Sequence, residues 1–287
     1  TYWDVENAIT DLASVRALFP IAIALSTELD RDASLRTTWR DVLDNVVPYP
    51  ESDGTYAPHT PPISQTRNNE NVVCELIWPY SLGGIGSPDY DKLLEAWNER
   101  PFPYGNVWAN DAIQAARLGL GSETFTGLRT MLQKYQSESN GFTDNTNGVV
   151  EYWGVHLTAM NESLLQSHGG KLRVFPALPD GDDLVTRFTL HAEGGFLVSS
   201  EREREYVKYV GIQSERGESV VLVNPWPGES MQVRRVADSE IVLSSSAAEL
   251  SFATTAGELY VVEPVARPWS SYDYAHIDGE RLDGARV

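Results

Sequence analysis

Up to about residue 170 the apolar residues recur every three or four positions; beyond it they form short runs or alternate with polar ones. The first spacing is that of amphipathic helices, the second that of strands. Ile9, Leu12, Val15 and Phe19 predict a helix over residues 4–27, which Pro20 is expected to kink or split. Leu35, Trp39, Leu43 and Val46 predict a second over 33–46. Further helices are predicted over 70–78, 90–100, 107–118, 123–137 and 148–166. In the last of these Trp153, Leu157, Met160 and Leu164 share a face, and Gly169-Gly170 supplies a stop. The polar stretch 48–69, rich in Pro, Ser and Thr, reads as a long connection. Loops of alternating length suggest helical hairpins stacked around an axis, and no fixed-period repeat marks a regular solenoid.

From Lys171 onward turn residues separate strand-like segments over 172–175, 184–191, 195–199, 206–214, 218–223, 231–236, 240–243, 249–252 and 258–262. Val220-Val221-Leu222-Val223 has the continuous β-branched character of a buried strand. Met231 and Val233 alternate with Gln232 and Arg234, as in a half-exposed strand. This mixture predicts an antiparallel β-sandwich. The expected class is α + β and multidomain: a helical part over 1–170, a sandwich over 171–265 and an extended tail over 266–287.

Composition narrows the function classes. Of the 287 residues, 41% are hydrophobic and 10% aromatic, enough for a packed core. A formal net charge of -19 repels phosphate backbones and anionic membrane surfaces, so neither nucleic acid nor membrane is an expected partner. No uninterrupted apolar stretch approaches the length of a membrane span. The lone Cys74 rules out an internal disulfide and cysteine-rich metal sites, and its apolar neighbours suggest a buried thiol. The histidines have no metal-like spacing, and there is no phosphate loop, dinucleotide fingerprint or Gly-x-Ser-x-Gly elbow. No metal or cofactor is expected. A neutral substrate suits the charge best. The many Trp and Tyr could stack on sugar rings, although each serves equally as a core residue.

One run is specific: Asn161-Glu162-Ser163-Leu164-Leu165-Gln166-Ser167-His168-Gly169-Gly170-Lys171-Leu172-Arg173-Val174-Phe175-Pro176-Ala177-Leu178-Pro179. It resembles the passage of glycoside hydrolase family 95, the α-L-fucosidase type, where the last toroid helix meets the C-terminal sandwich. Gly194-Gly195-Phe196-Leu197-Val198, Val210-Gly211-Ile212-Gln213-Ser214 and Asn224-Pro225-Trp226-Pro227-Gly228 are similar to early strands of that sandwich. Ala115-Ala116-Arg117-Leu118-Gly119 resembles another toroid helix more weakly. The likeness spans residues 4–262, with its specific motifs over 151–228. It implies a partial (α/α)6 toroid of helical hairpins followed by the sandwich, and a carbohydrate substrate. Since the family toroid is larger, it also implies an upstream catalytic half as a partner.

Counted back from Glu162, Glu151 takes the place of the family's catalytic Asp, with one methylene more. The resemblance gives it the activation of the attacking water. A first-turn carboxylate faces the positive end of its helix, which favours the ionised form a general base needs. Acidic first-turn residues are also ordinary helix chemistry, so position alone leaves both readings open. The second carboxyl that glycoside cleavage requires is expected upstream of Thr1, with Glu6, Glu70 and Glu75 as stand-ins. Glu75 stands where the family usually has a substrate-side His, and Trp108 where it has an Arg. Both departures point to a different sugar. Trp78, Trp108, Tyr152 and Trp153 are candidates for a stacking platform at the toroid mouth, and His156 for the same opening; core packing competes for each. The implied activity is exo-acting, inverting cleavage of terminal α-L-fucose or α-L-galactose. Its rivals are a non-catalytic piece that needs the upstream half, and a toroid polysaccharide lyase, which the acidic balance disfavours.

Overall fold

The computed structural model describes residue 2 and residues 4–63, 70–139, 141, 143, 149–181 and 185–268. Among them, six α-helices precede a six-stranded antiparallel sheet, an α + β chain. Helix α1 spans Ile9–Glu28 and α2 spans Leu35–Asn45. The start of α1 is later than the apolar period predicts because Asp4 and Asn7 each hold a φ of 54°. Asp and Asn are the side chains that tolerate this left-handed region. Pro20 neither splits nor ends α1; it lies on an exposed side, where solvent can serve the carbonyl it leaves unpaired.

Ile9, Leu12 and Ala13 enter the core, whereas Leu18, Ile21, Leu25 and Leu29 remain about half exposed or more. By length and composition alone α1 is apolar enough to cross a membrane. In the sequence Asp11, Arg16 and Pro20 interrupt the apolar run. No residue of α2 is buried, and Leu35, one of the four apolar residues that predict the helix, is exposed.

Within the stretch read as a long connection, β1 (Glu51–Ser52) and β2 (Thr55–Tyr56) form a hairpin over Asp53-Gly54. Both turn residues have positive φ, which this dipeptide accommodates. The helix predicted over 70–78 is instead one 3-10 turn, Val72–Leu76. Asn71 exchanges two 3.0 Å hydrogen bonds with the backbone of Phe102, an alternative to starting a helix. Val72, Cys74, Leu76 and Ile77 then share one core with Ile9, Leu93, Trp97 and Leu118. Burial pushes the Cys74 thiol up to about 12.

Helices α3 (Tyr90–Asn98), α4 (Asp111–Arg117), α5 (Gly121–Tyr135) and α6 (Val149–Leu164) complete the helical part. Every residue of α4 is buried, and α4 packs on both α5 and α6. Gly121 brings α5 against the β domain. A Cβ there would lie 2.2 Å from the Leu178 carbonyl oxygen, so only a bare backbone fits.

After α6, β3 (Leu165–Gln166) pairs with β4 (Arg173–Val174). Gly169 and Gly170 reverse the chain with φ of 69° and 72°. The following strands are β5 (Val185–Ala192), β6 (Phe196–Glu203), β7 (Tyr206–Ser214), β8 (Ser219–Val223), β9 (Met231–Arg235), β10 (Ile241–Ser245), β11 (Glu249–Ala253) and β12 (Leu259–Pro264). The large sheet has the order β10-β9-β12-β7-β6-β5, while β8 pairs with β11. Phe196, Val198, Val210 and Ile212 of the large sheet meet Val220, Leu222, Leu250 and Phe252 of the small one in a single core. Trp226 joins that core, its Nε1 donating to the Val207 carbonyl at 2.6 Å. Leu172 ties the linker to β8, donating to Val221 O at 2.8 Å and accepting from Val223 N at 3.0 Å. Of the tail expected over 266–287, residues 269–287 lie outside the described residues.

Candidate functional site

Two neighbouring depressions on the helical part gather several of the sequence candidates. The larger is an open hollow of about 590 Å³ lined by Trp78, Trp108, Asn110, Ile113, Glu151, Gly154, Val155 and Thr158. The smaller is a recess of about 40 Å³ among Glu70, Asn71, Glu75, Asn106, Trp108, Ala109, Asn110, Asp111 and Gln114. Trp108 and Asn110 line both, so one wall separates them.

Helix α6 supplies Glu151, Gly154, Val155 and Thr158, residues spaced to share one helical face. Glu151 is exposed in the first turn, where backbone N–H groups without helical partners favour negative charge. Among the described residues, a Cβ at Gly154 beside Glu151 would meet nothing within 4 Å. Trp108 leaves 38% of its surface exposed. Trp78 packs on Ile113 and Val155, and the Arg117 guanidinium lies 5.1 Å from its ring centroid. Asn110 occupies the capping position of α4 without capping it, so its amide is not engaged by the helix end.

The other α6 candidates face elsewhere. Tyr152 is fully buried with Ala109 and Met131. His156 is 8% exposed, its Nδ1 2.9 Å from the Tyr152 carbonyl oxygen. Trp153 stands edge-on to Tyr152, and its ring would lie 2.7 Å from a Cβ at Gly141. One residue is a turn of about 100° on a helix. That step carries Tyr152 away from the hollow's wall, to the side packed toward α5.

Glu75 lies in the recess rather than the hollow, accepting from Thr10 Oγ1 at 2.7 Å. Burial raises its pKa above the ordinary glutamate range, while the Thr10 bond opposes the shift. Behind it are residues that the sequence did not single out. Arg100 Nε donates to Asp111 Oδ1, and Asp111 Oδ2 has no partner among the described residues. Gln114 Nε2 donates to the Trp78 carbonyl at 3.3 Å, and its Oε1 is likewise without a partner. Their legible signal was a polar pair three residues apart on a helix otherwise rich in alanine. Among the described residues no group of three or more His, Cys, Asp or Glu is arranged to hold a metal ion.

The chain is thus helical first, with an antiparallel β domain joined to it through β3 and β4. Residues 166–262, from β3 into β12, match the family model described as glycoside hydrolase family 95, C-terminal domain. The matched segment takes up the Gln-Ser-His-Gly-Gly run and all three later motifs. No curated protein matches the chain.

Proposed function

We propose that the chain is the water-activating and sugar-holding part of an exo-acting α-glycosidase for terminal sugars such as α-L-fucose or α-L-galactose. One observation carries the reading: Glu151 is an exposed first-turn carboxylate on the wall of a hollow rimmed by Trp78 and Trp108. Residues 166–262, further along the same chain, match the C-terminal domain of glycoside hydrolase family 95. A hollow of about 590 Å³ is within the range of small-molecule sites. Indole faces offer flat apolar area to the C–H faces of a pyranose. In the reaction Glu151 takes a proton from water as that water attacks the anomeric carbon, and a second carboxyl protonates the departing oxygen, with inversion. On this reading α1 to α6 are part of an (α/α)6 toroid, and the two sheets that share a core are a β-sandwich.

Helix α1 favours a second reading. Leu18, Ile21, Leu25 and Leu29 form an exposed apolar row along it. A further helical segment packed there would supply the acid, and this chain alone would be silent.

Aryl α-L-fucoside and α-L-galactoside test both readings. Aryl alcohol release that is lost in Glu151→Gln, with the sugar appearing first as the inverted anomer by NMR, supports the first. Silence that ends when an upstream half is added supports the second. Turnover undiminished in Glu151→Gln removes Glu151 from the mechanism; a polyuronide is the separate substrate from which an unsaturated uronide product would make the chain a lyase.

A further inference from the structure

Buried polar atoms almost always have hydrogen-bond partners, and each exception calls for an explanation. Two belong to residues that line the recess behind Trp108. Asp111 and Gln114 are 1% and 3% exposed, yet Asp111 Oδ2 and Gln114 Oε1 have no partner among the described residues. The other polar atom of each side chain is committed, Oδ1 to Arg100 and Nε2 to the Trp78 carbonyl. That commitment fixes the character of the remaining atoms. Asp111 Oδ2 is the second oxygen of a carboxyl group whose Oδ1 accepts from the Arg100 guanidinium. A carbonyl partner requires the Gln114 amide nitrogen on that side, which leaves the oxygen. Both remaining atoms are therefore acceptors. They stand three residues apart on α4, hence on one face.

The recess volume of about 40 Å³ exceeds what one water needs and falls far short of a pyranose ring. It fits a single substituent. Glu70 and Glu75 add carboxylates to its wall, and among the described residues no basic side chain lines it. Burial raises the Glu75 pKa, as expected where solvent is scarce and hydrogen bonds are stronger. The shared wall residue Trp108 lets a ring seated in the hollow direct one substituent inward.

Resting on the proposed sugar-holding role of the hollow, we infer that this recess is a specificity subsite. It takes one hydroxyl or amino substituent of the sugar, which donates to Asp111 Oδ2 and Gln114 Oε1. A sugar lacking that donor leaves two buried acceptors unsatisfied and is rejected.

The test titrates the full chain with methyl α-L-galactoside, its singly deoxygenated derivatives and the matching amino derivatives, using calorimetry or ligand-observed NMR. One deoxygenation should weaken binding by about tenfold or more. That penalty should shrink in Gln114→Met and in Asp111→Asn, since each removes one of the two acceptors. The second variant keeps the side-chain shape and an acceptor for Arg100, so it serves if the first fails to fold. Tighter binding of the amino derivative at the same position identifies an ammonium as the preferred donor; looser binding identifies a hydroxyl. A penalty of equal size in wild type and variants, or no penalty at any position, overturns the subsite. The hollow's role stands in that case if Trp108→Ala still abolishes binding of the parent glycoside. If no neutral glycoside binds the wild type, the role of the hollow falls and the subsite falls with it.

Discussion

Arg117 grips Glu162 with two hydrogen bonds, Nε to Oε2 at 2.6 Å and Nη2 to Oε1 at 2.8 Å, locking the end of α4 to α6. The same guanidinium donates to Ser81 Oγ at 2.9 Å and sits against the Trp78 ring. A single buried side chain therefore sets how α6, with Glu151 at its first turn, stands relative to the tryptophan across the hollow.

Replacing Arg117 by Met should leave the Glu162 carboxylate poorly solvated and unpaired. Loss of one partner of a buried pair costs about 3–5 kcal/mol. Arg117→Lys keeps the charge but not the two-pronged geometry and should fall between wild type and Arg117→Met. Urea unfolding measures both. Wild-type stability in Arg117→Met would mean the pair does not hold the helices together.

Two glycines should respond in opposite directions. Gly121→Ala drives a methyl group into the Leu178 backbone, which cannot swing aside as a side chain would, and should cost about 1–3 kcal/mol. Gly154→Ala meets open space in the middle of α6 and should gain about 0.5–1 kcal/mol through the unfolded chain's lower entropy. Paired thermal melts decide the matter, and a matching sign for the two changes would contradict the packing described.

Acid should weaken the protein through His168. Burial, aided by Arg117 and Arg173, pushes its pKa down to about 4 from the ordinary 6.5. Between those values the unfolded chain binds a proton that the folded chain refuses. Stability is therefore lost as pH falls through that window. His168→Gln should flatten this part of the stability–pH curve. Parallel curves for the two proteins would show that His168 is not held neutral.

Glu75 should act with the opposite slope. Its pKa is raised by burial, so above the ordinary value of 4.5 the unfolded chain ionises first. Stability then falls as pH rises until the folded carboxyl also ionises. Glu75→Gln retains an acceptor for Thr10 and should become more stable relative to wild type between acid and neutral pH. Denaturant midpoints across that range provide the check, and a constant difference between the two proteins would refute it.

Where a segment's environment is local, the chain alone was informative. The strand predicted over 206–214 has those bounds as β7, because its aromatic and β-branched residues and the flanking turns reside in the segment itself. The helix predicted over 70–78 gave way to a 3-10 turn because Asn71 is bound by Phe102, far along the chain, and no periodicity can register that. Along α2 the apolar period predicts one apolar face, which the fold leaves outside the core.

The sequence by itself determined the division into helices and strands, the junction motif over 161–179 and the helical first turn that bears Glu151. These follow from residue order and backbone preference, which act over a few positions. Tertiary structure alone decided that Trp78, Trp108 and Glu151 line one hollow while Tyr152, Trp153 and His156 turn to the core side. It also placed the unmatched acceptors of Asp111 and Gln114 beside that hollow. The physical reason is that a helix offers several faces with nothing in its own order to rank them. The choice falls to the partner, here α4, which packs against one side of α6 and fixes its rotation through Arg117 and Glu162.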